Sequence, residues 1–243
     1  MHNDGYFDSR IANLYDEIEA LMFEPKAIDP VVDLLQKLAA DGRALELGVG
    51  TGRIAIPLSR RGVPVHGIDI SKAMAAKLRE KPEGRNIGVT IGDFTTATVA
   101  GRFNVAFLVF NTIMNLTNQP AQVLCFRNLA AHLAPQGFFV VEVVVPDLQN
   151  LPRGETIQSV QLSPTEWDFD EYDVVSQRLT SHHYRLLDGN VENWSVPFRY
   201  VWPSELDLMA QSAGLELRHR WGGWSEEPFT SESRMHVSVW QLK

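Results

Sequence analysis

The stretch ALELGVGTGRI, residues 44–54, places three glycines at alternate positions directly after a short apolar run that contains Glu46. Glycine adopts positive φ without steric cost, so this pattern lets a chain turn tightly after a strand and bring backbone N–H groups close to a ligand. The dinucleotide fingerprint G-x-G-x-x-G requires glycine at position 53, where this chain has Arg53. The pattern therefore predicts either a plain tight turn or a site for a polar ligand, and it disfavours a nicotinamide dehydrogenase.

Composition limits the classes of function. The 243 residues are 44% hydrophobic, and 22 basic against 30 acidic side chains give a net charge of −8 without a basic cluster, so we expect no nucleic-acid partner. Cys125, the only cysteine, excludes an internal disulfide and a thiol pair for a metal, and its helical context predicts a core residue. The polar N-terminus and the short apolar run 138–145 predict neither signal peptide nor membrane span. A soluble, cytoplasmic protein is expected.

Helical and strand patterns alternate along most of the chain. Two amphipathic helices are predicted over residues 9–22 and from Asp29-Pro30 to Gly42. Strands separated by helix-length segments then predict a parallel sheet; they cover residues 44–47, 65–68, 86–91, 103–110 and 138–145.

The last hundred residues follow a different pattern. Residues 174–187 and 191–201 alternate as strands do around a turn at 188–190, within an insert of about 55 residues that is too long for a plain connection. Ser204 is predicted to cap a helix that ends at Gly214, and a hairpin over 215–221 and 236–242 closes the chain.

Acidic residues also follow the second and third predicted strands. Asp69 is placed to accept both hydroxyls of a ribose, and Asp93 to accept from an adenine amino group beside the ring of Phe94. Each aspartate alone is equally well explained as a turn or cap residue. Because the carboxyl ends of parallel strands share one edge of a sheet, the three positions together predict a nucleoside site that binds no phosphate.

These features resemble a known family. The E-x-G-x-G-x-G turn, the acidic end of strand two, the Gly-Asp pair after strand three and LAPQGFF at strand five are similar to the class I S-adenosylmethionine-dependent methyltransferases. The resemblance covers about residues 40–145 and the terminal hairpin, with Gln136 where the family usually has glycine. It implies a doubly wound α/β fold with a seven-stranded, mostly parallel sheet of order 3-2-1-4-5-7-6, the last strand antiparallel, and S-adenosylmethionine as cofactor.

The resemblance also implies roles for individual residues. Glu46 would organise the glycine loop and bind the methionyl amine, Asp69 would hold the ribose, and Asp93 with Phe94 would frame adenine. The residues predicted to contact the cofactor are Arg10, Tyr15, Glu46, Gly48, Gly50, Thr51, Gly52, Asp69, Ile70, Met74, Asp93, Phe94, Phe110 and Asn111. For Arg10 and Tyr15, which resemble the N-terminal helix of small-molecule members including aminosugar N-methyltransferases, the alternatives are a solvated charge and a core aromatic.

Candidate substrate and catalytic residues follow the fourth strand, interrupt the fifth and lie in the insert. Asn111 and Asn115 either orient a substrate group or cap a turn. Glu142 either accepts from neighbouring backbone or receives a substrate proton. His182 and His183 alternate across a strand, so only one faces the cleft; it is the natural general base for a hydroxyl acceptor, whereas an amine needs none.

Several aromatic residues form either a substrate pocket or part of the core; they are Trp194, Tyr200, Trp202, Trp221 and Trp224, with Tyr200 and Trp224 the substrate candidates.

We therefore expect a methyltransferase that moves a methyl group to a nitrogen or oxygen of a small metabolite. The alternatives are a protein or RNA acceptor and a regulatory protein that binds S-adenosylmethionine without catalysis. The expected organisation is an N-terminal helical lid (1–42), a cofactor-binding core (43–146), a β-rich substrate cap (147–202) and a C-terminal helix and hairpin (203–243).

Overall fold

A computed structural model describes residues 6–187 and 189–243 of the chain. Its strands, in chain order, are β1 (Ala44–Leu47), β2 (Val65–Asp69), β3 (Gly88–Ile91), β4 (Phe103–Leu108), β5 (Leu133–Val144), β6 (Ile157–Leu162), β7 (Glu166–Asp173), β8 (Arg178–Leu187), β9 (Asn190–Arg199), β10 (Leu215–Trp221) and β11 (Met235–Leu242). Its α-helices are α1 (Ser9–Ile18), α2 (Pro25–Ala39), α3 (Ala55–Arg60), α4 (Lys72–Glu80), α5 (Gln119–His132) and α6 (Pro203–Ser212).

The main sheet has the predicted topology. Its order is β3-β2-β1-β4-β5-β11-β10, and β11 runs antiparallel to both of its neighbours. This arrangement confirms the predicted order 3-2-1-4-5-7-6, since β11 is the seventh strand of this sheet in chain order. A second sheet, β6-β7-β8-β9, is antiparallel throughout and occupies the predicted insert.

Two hydrophobic clusters cover opposite faces of the main sheet. On one face α2 and α3 place Leu35 and Leu58 against β4 and β5. On the other, α5 and α6 pack around a T-shaped contact of Phe126 with Phe139 and with Trp240. Cys125 is fully buried in this second cluster, as its helical context predicts. Because every residue of β1 is buried, the strand that precedes the glycine loop is held from both sides.

Several boundaries differ from the sequence predictions. Helix α2 begins at Pro25, because Pro at the first helical position needs no N–H partner, and Pro30 lies inside it. Trp202 rather than Ser204 is the N-cap of α6, with Pro203 at its first turn. Strands β6 and β7 were not predicted at all. The turn predicted at 188–190 joins β8 to β9, although Asp188 itself lies outside the described residues.

Packing of the glycine loop against α4 can be tested with two glycines of similar φ. A Cβ on Gly52 (φ +86°) would lie 2.3 Å from Leu78 Cδ1, whereas a Cβ on Gly62 (φ +87°) would meet no atom within 4 Å. Gly62→Ala should therefore lower the free energy of unfolding by about 1 kcal/mol through backbone strain alone. Gly52→Ala should lower the free energy of unfolding by roughly 1–3 kcal/mol more than Gly62→Ala, because its methyl group also overpacks the contact with Leu78. Urea unfolding measures the free energy of unfolding of both variants. An equal decrease in the two would contradict the tight contact between Gly52 and Leu78.

Candidate active site

The glycine loop is fixed by a carboxylate from the neighbouring strand. Gly48 and Gly50 have φ of +74° and +54°, so both turn the chain in ways that side chains disfavour. Asp69, at the end of β2, accepts hydrogen bonds from the N–H of Gly50 at 2.7 Å and of Ser71 at 2.8 Å. Since Ser71 is also the N-cap of α4, one side chain ties the loop to the next helix.

Glu46 places a buried carboxyl group beneath this loop. Its side chain is 3% exposed, and its Oε2 has no hydrogen-bond partner among the described residues. Burial raises the pKa of Glu46 to about 8, against the opposing effect of the Arg53 guanidinium. A buried carboxyl oxygen without a partner favours a cationic or hydrogen-bond-donating ligand, because leaving it unpaired costs free energy.

A cavity of about 420 Å³ opens above the loop, within the range of small-molecule sites. The floor consists of Glu46, Gly48, Val49, Gly50, Thr51 and Arg53. One wall is formed by the N-terminal segment through Tyr6, Phe7, Ile11, Tyr15, Ile18 and Glu19. The end of β4 adds Val109, Phe110, Asn111, Thr112 and Asn115. The second sheet closes the far side, so main sheet, N-terminal helix and insert all contribute to one enclosure.

The N-terminal segment is fastened over the loop by polar contacts. The Thr51 hydroxyl donates to Asp16 Oδ1 at 2.6 Å, and Lys81 Nζ lies 2.5 Å from Asp16 Oδ2. Lys81 also donates to the Thr51 carbonyl at 2.8 Å, and the Ser71 hydroxyl donates to the Phe7 carbonyl at 2.5 Å. Any movement of the N-terminal segment away from the loop would have to break these contacts.

The segment after β4 is held in a strained conformation by Glu142. Phe110 and Asn111 have φ of +57° and +61°, which non-glycine residues rarely adopt. The Phe110 N–H donates to Glu142 Oε2 at 2.7 Å, and the Val144 N–H donates to Asn111 Oδ1 at 2.8 Å. Glu142 does not line the cavity, so the structure favours its structural alternative over the catalytic one. Phe110, Asn111 and Asn115 do line it.

The two histidines of the insert point to opposite sides of the second sheet. His183 lines the cavity, and His182 does not. On the outer face, His182 contacts Ser195 Oγ at 2.8 Å and Glu171 Oε2 at 3.2 Å. The catalytic role predicted for His182 is therefore corrected by the direction of its side chain, while His183 remains a candidate.

Two predicted substrate contacts do not fit the structure. Tyr200 is 2% exposed because it packs against Tyr172 and Trp202 in the core. Trp224 packs on the α2 face of the main sheet. These placements correct the substrate contacts predicted for Tyr200 and Trp224. Arg10 is exposed and lies off the cavity wall, where Arg53 occurs instead, and its cofactor contact stays a prediction.

Other predicted cofactor residues lie beside the cavity rather than on its wall. Asp69, Ile70 and Met74 are at the end of β2 and the start of α4, next to the loop. Asp93 is exposed after β3, where its Oδ1 accepts from the Thr95 N–H at 2.8 Å, and Phe94 is half-buried beside it. Gly52 faces α4. These positions share the carboxyl edge of β1, β2 and β3, and their cofactor contacts stay predictions.

Sequence reasoning missed residues whose role depends on long-range pairing. Asp16, Lys81 and Arg53 lie far apart in sequence, yet the first two join the lid to the loop and Arg53 lies 5.0 Å above the Phe110 ring. Asp168 and Arg185 line the cavity from β7 and β8. Asp168 and Arg185 could have been found from the sequence, because acidic and basic residues at alternate positions of two neighbouring strands indicate one face of a hairpin.

Comparison with known proteins identifies the family. Residues 44–137 match a family model described as a methyltransferase domain. The chain is 27% identical over 252 residues to the cypemycin N-terminal methyltransferase of a Streptomyces species, with 98% of both chains covered. It is 35% identical to the CcbJ methyltransferase of Streptomyces caelestis, whose structure superposes with a TM-score of 0.86 and 99% coverage of both chains. The chain belongs to the class I S-adenosylmethionine-dependent methyltransferases.

The same fold occurs with the cofactor bound in a more distant protein. The S-adenosylmethionine complex of CalS10, an amino pentose methyltransferase from Micromonospora echinaspora, is 19% identical and superposes with a TM-score of 0.66 over 88% of this chain. Because the chain belongs to this family of S-adenosylmethionine-dependent enzymes, it uses S-adenosylmethionine. The unpartnered Glu46 carboxyl fits such a ligand, because its α-ammonium is a cation with hydrogens to donate. In the described part of the chain, no helix is long and apolar enough to cross a membrane.

Contacts between lid and loop predict how long the cofactor stays bound. Asp16→Asn removes the charge that pairs with Lys81 and weakens the contact with Thr51. We expect S-adenosylmethionine to dissociate about 2–10 times faster, the range for a partly exposed ion pair plus one hydrogen bond. Stopped-flow measurement of the dissociation rate tests this. Glu17→Gln, an exposed position on the same helix, is the matched control. Identical dissociation rates in both variants would show that the contacts of Asp16 with Lys81 and Thr51 do not slow cofactor release.

The raised pKa of Glu46 predicts pH-dependent cofactor binding. Below pH 8 the free protein holds this carboxyl protonated, whereas an ammonium ligand favours the carboxylate, so binding must release a proton. Affinity for S-adenosylhomocysteine, which carries the same ammonium without the sulfonium, should rise between pH 6 and 8 by up to about tenfold per unit. Calorimetry on wild type and Glu46→Gln tests this, and the same slope in both would exclude Glu46 as the group.

Proposed function

We propose that this methyltransferase transfers the methyl group of S-adenosylmethionine to an amine nitrogen of a small molecule held in the 420 Å³ cavity. The observation that carries the proposal is the far wall of that cavity, where the insert presents Asp168, His183 and Arg185 opposite the glycine loop. A polar wall that includes a carboxylate suits an acceptor with a protonated amine. Relatives named as N-terminal and amino pentose methyltransferases support a nitrogen acceptor.

Cofactor binding is assigned to the edge of the main sheet. Glu46 and the glycine loop would hold the methionyl end, with Tyr15 above it, Asp69 would hold the ribose, and Asp93 with Phe94 would frame adenine. When bound, S-adenosylmethionine supplies an activated methyl group on its sulfonium. The chain itself has to align a nucleophile and exclude water, and such positioning is worth roughly 7–11 kcal/mol in well-oriented systems.

The two predicted segments outside the core, the N-terminal lid and the insert, each have a task in the proposed function. Residues 1–42 would close over the cofactor, and residues 147–202 would cap the acceptor, while 43–146 and 203–243 form the sheet beneath. The Tyr6 phenol on the cavity wall is neutral at physiological pH, because burial raises its pKa to about 12. It serves this site as a hydrogen-bond donor.

An RNA acceptor is disfavoured by the net charge of −8, which repels a phosphate backbone. A peptide acceptor is the second candidate because the cypemycin enzyme is named for an N-terminus. A hydroxyl oxygen of a small metabolite and a non-catalytic regulatory role are the other outcomes that the experiment below distinguishes. The cytoplasmic location expected from the sequence stays a prediction.

Paired acceptors test the choice of nitrogen. The purified protein is incubated with S-adenosylmethionine labelled on its methyl group and with an amino sugar glycoside or a short peptide amide that has a free N-terminus, each beside its hydroxyl analogue. A fractionated extract of small metabolites is run in parallel. Label on the amines, with at least a tenfold preference over the hydroxyl analogues, is expected. Transfer to hydroxyl analogues only would replace nitrogen by oxygen, and cofactor binding without transfer to any acceptor would favour the regulatory role.

A further inference from the structure

The cavity face of β7 and β8 carries a ladder of charged cross-strand pairs. Glu166 lies opposite Arg185, Asp168 opposite His183, and Asp170 opposite Ser181. Successive residues of a strand alternate between faces, so Glu166, Asp168 and Asp170 share one face with Ser181, His183 and Arg185, while His182 lies on the other. Asp168, His183 and Arg185 of this ladder line the cavity. The cavity wall of the insert therefore carries a carboxylate, an imidazole and a guanidinium side by side.

Arg185 holds Asp168 in place. Its Nη1 donates to Asp168 Oδ1 at 2.7 Å, and its Nε lies 3.1 Å from Glu166 Oε1. The guanidinium also lies 5.4 Å from the centre of the Trp194 ring, a cation–π contact from β9. With three partners on two strands, Arg185 has little freedom, and it fixes the carboxylate beside it.

His183 lies between Trp194 and Asp168, which also contact Arg185. Its ring stacks on Trp194 with centroids 5.3 Å apart and planes 20° apart. Its Nδ1 is buried 3.1 Å from Asp168 Oδ1, although the ring is not aligned for a hydrogen bond. Since Nδ1 faces the carboxylate, Nε2 is the ring nitrogen left for a ligand in the cavity. The Trp194 stack holds the plane of the ring, and the Asp168 carboxylate places an opposite charge beside the imidazolium that forms when the other nitrogen accepts a proton.

Resting on the proposed function, we infer that the acceptor enters as an ammonium ion and that His183 removes its proton, with Asp168 and Arg185 as positioning residues. An aliphatic amine is mostly protonated at neutral pH, since its pKa is about 10, and an ammonium nitrogen has no lone pair for attack. One N–H bond breaks, the proton passes to His183 Nε2, and the electron pair stays on nitrogen. The imidazolium later releases the proton to solvent.

Other charged groups around His183 define the pH behaviour. Asp168, Asp170 and Glu166 face it from β7, and Arg185 from its own strand. Trp194 on β9 is uncharged, and across the cavity lie Glu46 and Arg53 of the floor, with Tyr6 of the lid. Tyr6 stays neutral and adds no charge to the site, so the rate should rise with pH as the free amine accumulates.

The neighbouring histidine provides a matched control for the test. His183→Ala should lower kcat for the panel amine that turns over fastest by roughly 100-fold at pH 7, whereas His182→Ala on the outer face should leave it unchanged. The affinity for S-adenosylmethionine, measured by calorimetry, should be equal in all three proteins. Added imidazole should restore part of the His183→Ala activity. Equal kcat in His183→Ala and wild type would overturn the inference.

Dependence on pH separates proton removal from a purely structural role. The deficit of His183→Ala should shrink from roughly 100-fold at pH 7 to a few-fold at pH 9.5, because free amine then reaches the site without help. Asp168→Asn should lower kcat and leave the KM for S-adenosylmethionine unchanged, since the amide no longer places a negative charge beside the His183 ring, whereas a structural defect would change both constants. A deficit that is constant with pH and not relieved by imidazole would also overturn the inference.

Failure of the proposed function gives a different result. If wild type methylates only the hydroxyl analogues, nitrogen is the wrong acceptor, and the His183→Ala and His182→Ala comparison on those analogues then decides the proton acceptor by itself. If amines are methylated at equal rates by wild type and His183→Ala, the proposed function stands and the role of His183 is lost.

Discussion

The hydrogen bonds that Asp69 accepts from Gly50 and Ser71 are the contacts on which the rest of the site depends. One carboxylate fixes the end of β2, the glycine loop after β1 and the N-cap of α4. Ser71 also binds the Phe7 carbonyl, so the lid is attached to the same point. The proposed ribose contact would give Asp69 a second task, since the same carboxylate would bind the ribose and hold the loop that receives the methionyl end. Its carboxylate is only 8% exposed, which strengthens these hydrogen bonds by excluding water.

The sequence was sufficient for the main sheet because each of its strands is marked by local signals. Buried parallel strands read as continuous apolar runs, and Gly62, Ser71 and Gly214 mark ends of helices. The strands of the insert were harder to predict from the sequence. Strand β7 contains five carboxylates in eight residues, EWDFDEYD, so it has the composition of a solvated loop. It is a strand because β6 and β8 pair with it on both sides, and this tertiary pairing leaves no mark in the local sequence.

The candidate site shows the same division between local and long-range information. Glu46 and the glycines were recognisable because they are consecutive in one turn. The alternation of His182 and His183 told us that only one faces the cavity, but which one depends on where the second sheet lies relative to the loop. Aromatic residues were still less informative: Trp194 reaches the cavity, whereas Tyr200, on the following stretch of chain, is enclosed by Tyr172 and Trp202. Burial of an aromatic ring is decided by neighbours from other elements.

The glycine-loop side of the cavity and its opposite wall come from two separate sheets. Under the proposed function, cofactor contacts would be made by backbone and carboxylates at the edge of β1 and β2, which pack into the two hydrophobic clusters. The proposed acceptor wall belongs to an antiparallel sheet whose edge strand β6 exposes most of its side chains. Substitutions of Asp168, His183 and Arg185 would change the charge of the cavity wall. Tyr172 and Leu179 of the same strands, in contrast, belong to the hydrophobic cluster that contains Leu45 and Leu47 of β1. Under the proposed function, a methyltransferase built in this way could acquire a new acceptor through its polar cavity residues alone, because the apolar residues of the insert are part of the core beneath the glycine loop.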